Sequence, residues 1–420
     1  MKINALLTVF IALCSFCCHD KVVKQSEMPV VKVENKNDTI PAMNLLDSEY
    51  ELKERLTDSV LEIMFSRITH QEITNLNTPF YKCMKGSFNG EPAVMNLNFG
   101  HLWQNGEWAF EGSLYLEKQQ KTYDISGYSS KKYKCFFFNL TNTAENWIYP
   151  AYYLLGTFGE KNQTLNGQIL DCKNLKQGVF DFKETNTEGA DLSSNECFVR
   201  KKYVYKGKSK VWEDGREYWV AYVDAMPIAL KTNKPDAYVF LKNKLKINGN
   251  CASFCEKFVN KGINTIKKTI ETEGQLRNSA YSILHKNMVY WNDDDLLVLS
   301  KYEVENTALT TYGDESVEFE TYDLRKKRLL TDEDVFKMNN KEGENELFDK
   351  SIYDYFGWDY HYNEANKIEL RLQQTNGFTS KGFYMVGKGN HGWYVSPVFI
   401  PYKVVEPFLR EDFKKEYWKQ

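Results

Sequence analysis

Several familiar catalytic signatures are missing from these 420 residues. There is no Gly-x-Ser-x-Gly elbow, no phosphate-binding P-loop and no dinucleotide-binding βαβ fingerprint, which removes the best-marked hydrolase, nucleotidase and dehydrogenase readings. Histidine is scarce: the six are His19, His70, His101, His285, His361 and His391, and no two stand four apart as on a zinc-binding helix. Net charge is small, −3, with Lys-rich segments interleaved with Glu and Asp, so no long-range field attracts nucleic acid and the charge runs read as solvated faces. After the first 18 residues no stretch reaches the ~18 consecutive apolar residues of a transmembrane helix. What is plentiful is aromatic: 27 Tyr and 26 Phe lean the chain toward pleated, half-buried strands.

Residues 1–18 stand apart from the rest. Met1-Lys2 is a short basic start, and Ile3 to Leu13 is mostly apolar, the length of a signal-peptide core and too short to span a bilayer. Cys14-Ser-Phe-Cys17-Cys18 follows, which resembles a bacterial lipoprotein signal, although Ser15 stands where that family usually has Leu. The resemblance implies that Cys18 is the lipidated first residue of the mature protein. The chain is then held in the cell envelope through a lipid anchor. An ordinary cleaved signal, giving a secreted or periplasmic soluble protein, is the alternative. Six cysteines remain beyond residue 18: Cys83, Cys135, Cys172, Cys197, Cys251 and Cys255. An even number in an exported chain permits three disulfides, with 15 pairings, and Cys251 with Cys255 is the local candidate. One close pair is a poor metal site, since cysteine metal sites usually repeat the pair; no metal or other cofactor is expected.

Residues 19–44 are polar and aperiodic and read as a tether. Ser48 and Glu51 have capping-box spacing, and Leu52, Leu56, Val60, Ile63 and Met64 recur at helical intervals. From Phe80 to Glu184 short strands alternate with Gly and Asn turns, as in "GSFNGEP" and "TFGEKNQTLNG", predicting an antiparallel sheet, sandwich or partial barrel. The least structured stretch, "ETNTEGADLSSNE", marks a border. Beyond it we expect strands at Glu217–Asp224, Ala237–Leu241, Ala280–Trp291, Asp295–Val304, Ser316–Leu324, Lys367–Gln373, Gly382–Val386 and Trp393–Ile400. Helices are expected from about Ser253, after the Thr331 cap, around Leu347–Phe356, and from Pro401 through Leu409. The expected fold class is α+β: a helix plus antiparallel β-rich domain over 45–190, then an α+β companion domain over 205–310 and an α+β C-terminal domain over 311–420, with helices packed on antiparallel sheet.

The run "YDLRKKRLLTDEDVF" followed by "FTSKGFYMVGKGNHGWYVSPVFIPYKVVEPFL" resembles the domain of unknown function shared by PdaC-type envelope proteins and a membrane-bound anti-sigma factor that binds lysozyme. The carrying residues are Asp323-Leu324, Leu329-Leu330, Asp334-Val335-Phe336, Gly382-Phe383 and Ile400-Pro401-Tyr402, and the resemblance spans roughly 210–415. Members often carry Gly-Gly-Ala-His-Gly before the "YDL" strand; here Leu309–Ser316 departs from it. The metal-binding His-x-x-x-His and paired aspartates of the deacetylase module that sometimes accompanies this pair have no counterpart. The resemblance implies a non-enzymatic envelope protein that binds an extracellular protein or a cell-wall glycan, with lysozyme and peptidoglycan as test cases. A carbohydrate-active or peptidoglycan-modifying hydrolase, which needs only two acids across a cleft, and a purely structural lipoprotein are the alternatives.

The individual candidates for chemistry read mostly as turns. His361 lies with Asp359 and Glu364 in a "WDYHYNE" cluster, and Asp293-Asp294-Asp295 lacks the spaced ligands of a calcium loop and fits the turn before Leu296. His391 sits among Gly387, Gly389, Asn390 and Gly392, the composition of a hairpin turn. No catalytic residue is assigned. Replacing Cys18 by Ala should shift the protein from the membrane pellet to the soluble fraction and abolish palmitate labelling. Retention in the pellet would rule out a lipid anchor at that residue.

Overall fold

The computed structural model describes residues 80–102, 108–130, 135–142, 150–159, 163–174, 176–185, 192–193, 199–206, 218–226, 229–230, 239–241, 251–273, 280–306, 314–337, 344–357, 368–369, 376–386, 388–389 and 397–419. Eight strands come first: β1 (Phe80–Phe88), β2 (Glu91–Leu102), β3 (Trp108–Leu116), β4 (Lys121–Ser130), β5 (Cys135–Thr141), β6 (Tyr152–Phe158), β7 (Thr164–Asp171) and β8 (Gln177–Glu184). Each pairs antiparallel with the next, and β8 returns to β1 from Met84↔Glu184 to Phe88↔Phe180, so the sheet closes into a barrel. The turn between β1 and β2 is Asn89-Gly90, both at positive φ (52° and 76°), the backbone a two-residue hairpin demands. At the closing seam a Cβ on Gly86 would lie 1.9 Å from the carbonyl oxygen of Asp181, so only glycine lets β1 and β8 meet there.

Strand alternation sorts the barrel's residues. Phe80, Phe99, Phe110, Phe136, Phe138 and Phe158 point inward and pack ring against ring, for example Phe99–Phe110 at 4.5 Å and Phe110–Phe136 at 5.1 Å. Eight strands leave an interior that side chains just fill, and these rings fill it. Outward, β8 presents Gln177, Val179, Asp181 and Lys183, all exposed.

The second half is built on another sheet. β9 (Leu192–Ser193) pairs with β12 (Ala229–Leu230), while β10 (Val199–Lys206), β11 (Tyr218–Met226), β13 (Ala280–Asn292), β14 (Leu296–Asn306), β15 (Asp314–Asp323) and β16 (Arg328–Leu330) lie in the order β10-β11-β13-β14-β15-β16. β11 and β13 are parallel, joined across helix α1 (Cys251–Glu273), whose Val259, Gly262 and Ile266 are buried. Small pieces complete it: β17 (Ile368–Glu369) with β20 (Lys388–Gly389), and a three-stranded sheet of β18 (Gly377–Phe378), β19 (Gly382–Met385) and β21 (Val398–Pro401). Short helices α2 (Asp332–Val335), α3 (Glu344–Phe356) and α4 (Glu411–Glu416) pack around a core of Phe336, Phe348, Phe383, Tyr402 and Phe413. The border expected at residue 310 falls between β14 and β15, hydrogen-bonded neighbours in one sheet.

The barrel docks on this sheet through the outer faces of β1–β3. β11 pairs with β13 only as far as Lys286, leaving the rest of β13 without a strand on that side. Barrel side chains take its place. Asn98 Nδ2 donates to Val289 O at 3.1 Å while Asn98 Oδ1 accepts from Val289 N at 3.0 Å, so one side-chain amide imitates a neighbouring strand. Ser113 donates to Tyr290 O at 2.7 Å, and the Lys286 ammonium pairs with Glu111 at 2.5 Å. Around these lie Tyr81, Cys83, Val289, Leu297, Leu299 and Tyr322, all buried.

The α+β expectation is corrected: the described chain is mostly β. Helix signals such as the Thr331–Asp334 capping box are real, but α2 is a single turn. The central sheet is covered in large part by the barrel wall and by the three-stranded sheet, because outward aromatic residues on strands cover it where helices were expected. Two local readings also change. Val239–Leu241 is helical, where a strand was expected. Pro401 ends β21 and precedes two 3-10 turns, Tyr402–Val404 and Glu406–Phe408, so no α-helix starts there. Pro407, lacking an N–H, cannot continue an α-helix through that stretch. The helix expected between Ser48 and Met64 lies outside the described residues.

Replacing Asn98 by the near-isosteric Leu should leave both polar groups of Val289 buried and unpaired, costing about 2–6 kcal/mol at ~1–3 kcal/mol per group. Urea unfolding reads this as a lower midpoint; an unchanged midpoint would show that the clamp does not hold the two halves together.

Candidate functional site

Next to the docking seam a cavity of about 170 Å³ opens between β4 of the barrel and the aromatic elements of the C-terminal part. Alternation places its polar lining. On β4, Tyr123 and Ile125 enter the barrel core, so Thr122 and Asp124 face outward. On β19, Phe383 and Met385 join the helix-covered core, so Tyr384 faces the opposite way, with Tyr290, Phe319 and Phe399 around it at 5.1, 5.5 and 5.2 Å between ring centroids. Tyr355 and Phe356, rings 4.8 Å apart, come from the last turn of α3, which Gly357 ends at φ 66°. Gln120, Asn142, Lys121 and Pro397 complete the described lining.

Three polar side chains set the chemistry of this lining. The Thr122 hydroxyl and the Tyr384 hydroxyl are buried and make no well-formed hydrogen bond within the described residues, although Tyr384 is directed toward Ser113 and Thr122. The third is Asp124. It is half-buried and lines the cavity. Burial pushes its carboxyl up to about 8, and no neighbouring cation or donor opposes that climb. Burial likewise raises the Tyr384 phenol above its ordinary value. Buried polar groups are almost always satisfied, so two buried hydroxyls unsatisfied among the described residues on one cavity are a marked exception. With ~30 Å³ per liquid water, the space holds about five or six waters, or one small polar group.

A larger volume, about 520 Å³, lies along α1 beside Lys257, Asn260, Lys261, Asn264, Thr265 and Lys268. All six are exposed and belong to one helix face, so it offers a ligand no enclosure.

The residues singled out from sequence lie elsewhere. Cys18, His19, His70, His361 and His391, with Asp359 and Glu364, are outside the described residues. Cys251 and Cys255 fall one turn apart at the start of α1; Cys255 is buried, its Sγ donates to Ala225 O at 3.9 Å, and burial pushes its thiol up to about 11. His285 has its Nδ1 2.8 Å from Glu303 and its ring against Phe258. In the aspartate run, Asp293 Oδ1 accepts from the backbone of Asp295 and Leu296, and Asp295 pairs with Arg325 and Lys419. This is a turn with its charges compensated. Among the described residues no group of three or more His, Cys, Asp or Glu side chains is placed to hold a metal. Thr122, Asp124 and Tyr384 were missed. Their only sequence signal is an outward polar position, "TYD" and "FYM", inside strands whose tyrosines we read as core.

No family model and no curated protein matches this sequence. Solved structures that are similar to it include a member of the DUF3298 family from Bacteroides fragilis, 12% identical with a TM-score of 0.42, matching 55% of this chain and 98% of that one. A DUF3298 family protein from Pseudomonas aeruginosa is 12% identical with a TM-score of 0.31, matching 51% and 94%. At these values the likeness carries no argument about ligand or site.

Asp124 makes stability pH-dependent in a defined direction. Its folded pKa lies above the unfolded value, so the folded state holds the proton more tightly and loses stability as pH rises from about 4 to about 8. The loss is roughly 1.4 kcal/mol for each pKa unit of that climb, less the hydration the cavity allows. Asp124→Asn should remove this slope in thermal melts between pH 5 and pH 8; parallel curves for variant and wild type would place the slope elsewhere.

Proposed function

We propose that this is a non-enzymatic binding protein of the bacterial cell envelope, anchored through lipidated Cys18, that takes a small group of an extracellular protein or cell-wall glycan into the seam cavity. The observation that carries this reading is the cavity itself: unsatisfied Thr122 and Tyr384 hydroxyls and one carboxyl, walled by Tyr355, Phe356, Pro397 and Phe399. Polar groups that fix orientation, set among aromatic walls, are the chemistry of a recognition pocket. Its described lining holds a single acid, Asp124. A glycosidase needs a second acid ~5–9.5 Å away, so the geometry favours binding over hydrolysis. The resemblance of residues 210–415 to PdaC-type envelope proteins and the lysozyme-binding anti-sigma factor makes lysozyme and peptidoglycan fragments the first ligands to try.

Calorimetric titration of the mature protein with lysozyme and with soluble peptidoglycan fragments tests this. One of the two should bind, and Thr122→Val combined with Tyr355→Ala should weaken that binding at least tenfold. Absence of binding to both removes these ligands; binding untouched by the double variant removes the cavity as the site.

A further inference from the structure

The cavity has a chemical bias that a generic recognition pocket would not need. Asp124 is a half-buried acid on the cavity wall, and among the described residues no cation and no donor offsets its burial. Lys121 lines the same cavity but does not neutralise it, since burial alone governs the acidity of Asp124. Opposite the carboxyl stand aromatic side chains from three elements: Tyr355 and Phe356 of α3, Tyr384 of β19 and Phe399 of β21. The Thr122 and Tyr384 hydroxyl oxygens each have lone pairs free to accept a hydrogen bond from a ligand. A carboxylate, hydroxyl acceptors and several aromatic rings around a space of about 170 Å³ form the set that binds a desolvated cation, the rings through their electron-rich faces and the carboxylate through its charge.

We propose that the seam cavity is an ammonium site, receiving the protonated primary amine of a lysine side chain or of a de-N-acetylated amino sugar. An –NH₃⁺ group brings three donors, one each for the carboxylate and the two hydroxyls. Its charge supplies a counter-ion that no described residue provides to Asp124. This rests on the reading that the cavity is the binding site, and it adds the charge state of the ligand.

The inference sets the sign of a pH dependence. Binding an ammonium requires Asp124 ionised, so below its pKa of about 8 the incoming cation must displace a proton. Affinity then falls toward tenfold per pH unit, about 50-fold between pH 8 and pH 6. A neutral ligand hydrogen-bonded to the protonated acid would behave oppositely, weakening above pH 8. Burial keeps Tyr115, Tyr290 and Tyr384 neutral across this range. The other charged groups on this side are Lys121 in the lining, Glu91 and Glu117 near Tyr115, and Lys286 paired with Glu111.

The test titrates the full mature chain with Nα-acetyl-lysine amide and its Nε-acetylated form, and with glucosamine and N-acetylglucosamine, by calorimetry or NMR shift mapping. The lysine probe is run from pH 6 to pH 9. The expected result is binding of at least one free amine, at least tenfold tighter than its acetylated partner. That binding should tighten with pH, and Asp124→Asn should abolish both the preference and the slope while Thr122→Ser retains them. Whichever amine wins identifies the source as protein or glycan. If the acetylated probes bind as well or better, the ammonium inference is overturned and the cavity remains a recognition site. If none of the four shifts a cavity resonance or releases heat, the inference fails, and failure of the lysozyme and peptidoglycan titrations is then the separate result that removes the binding reading itself.

Discussion

The clamp between Asn98 and the backbone of Val289 is the interaction on which the arrangement depends. An exposed strand edge carries unpaired N–H and C=O groups that must be satisfied or they cost stability and invite pairing with another chain. β13 outruns its parallel neighbour β11 after Lys286, and the barrel covers the gap with Asn98, Ser113 and Cys83. That fixes which face of the barrel is buried. With β1–β3 committed to β13, the adjoining strand β4 must face the C-terminal aromatics, and the cavity beside Asp124 exists because the two surfaces do not fill the space there.

Two layers of aromatic packing serve different ends. Inside the barrel the rings pack against one another and fill the lumen. Outside, Tyr115, Tyr290, Phe319, Tyr384 and Phe399 form a second cluster between barrel and sheet. Tyrosine suits this position because it buries a ring and keeps a polar end. At Tyr384 that end reaches the cavity edge without a well-formed protein hydrogen bond. Rigid walls with unsatisfied polar ends hold a pocket in shape before a ligand arrives.

Much of the strand pattern was legible in the sequence. Ala280–Trp291 became β13 (Ala280–Asn292), the Asn89-Gly90 hairpin was readable from its dipeptide, and Thr331 caps α2 as expected. These are local effects, set by period-two alternation, turn chemistry and capping. The expectation of α+β failed for a non-local reason. Nothing within residues 80–184 says that β8 will come back to pair with β1, nor that the sheet of β10–β16 will be covered largely by strands. Pro401 misled in a similar way, because a favourable first helical position was read without weighing the break that Pro407 imposes.

The candidate site was not legible at all, and the reason is physical. Thr122 and Asp124 come from β4, Tyr355 and Phe356 from α3, and Tyr384 and Phe399 from β19 and β21, more than 200 residues further along the chain. Each alone is an ordinary outward or core residue, and an aspartate on an outward strand position reads as solvated. The sequence by itself determined the alternation, the turns, the aromatic richness and the apolar leader with its cysteines, since each depends on neighbours within a few residues. Only the tertiary structure decided that the barrel closes, that Asn98 completes β13, and that Asp124 stands half-buried on a cavity beside two hydroxyls. Burial is a property of what arrives from elsewhere in the chain, and burial turns a common carboxylate into a group that needs a partner.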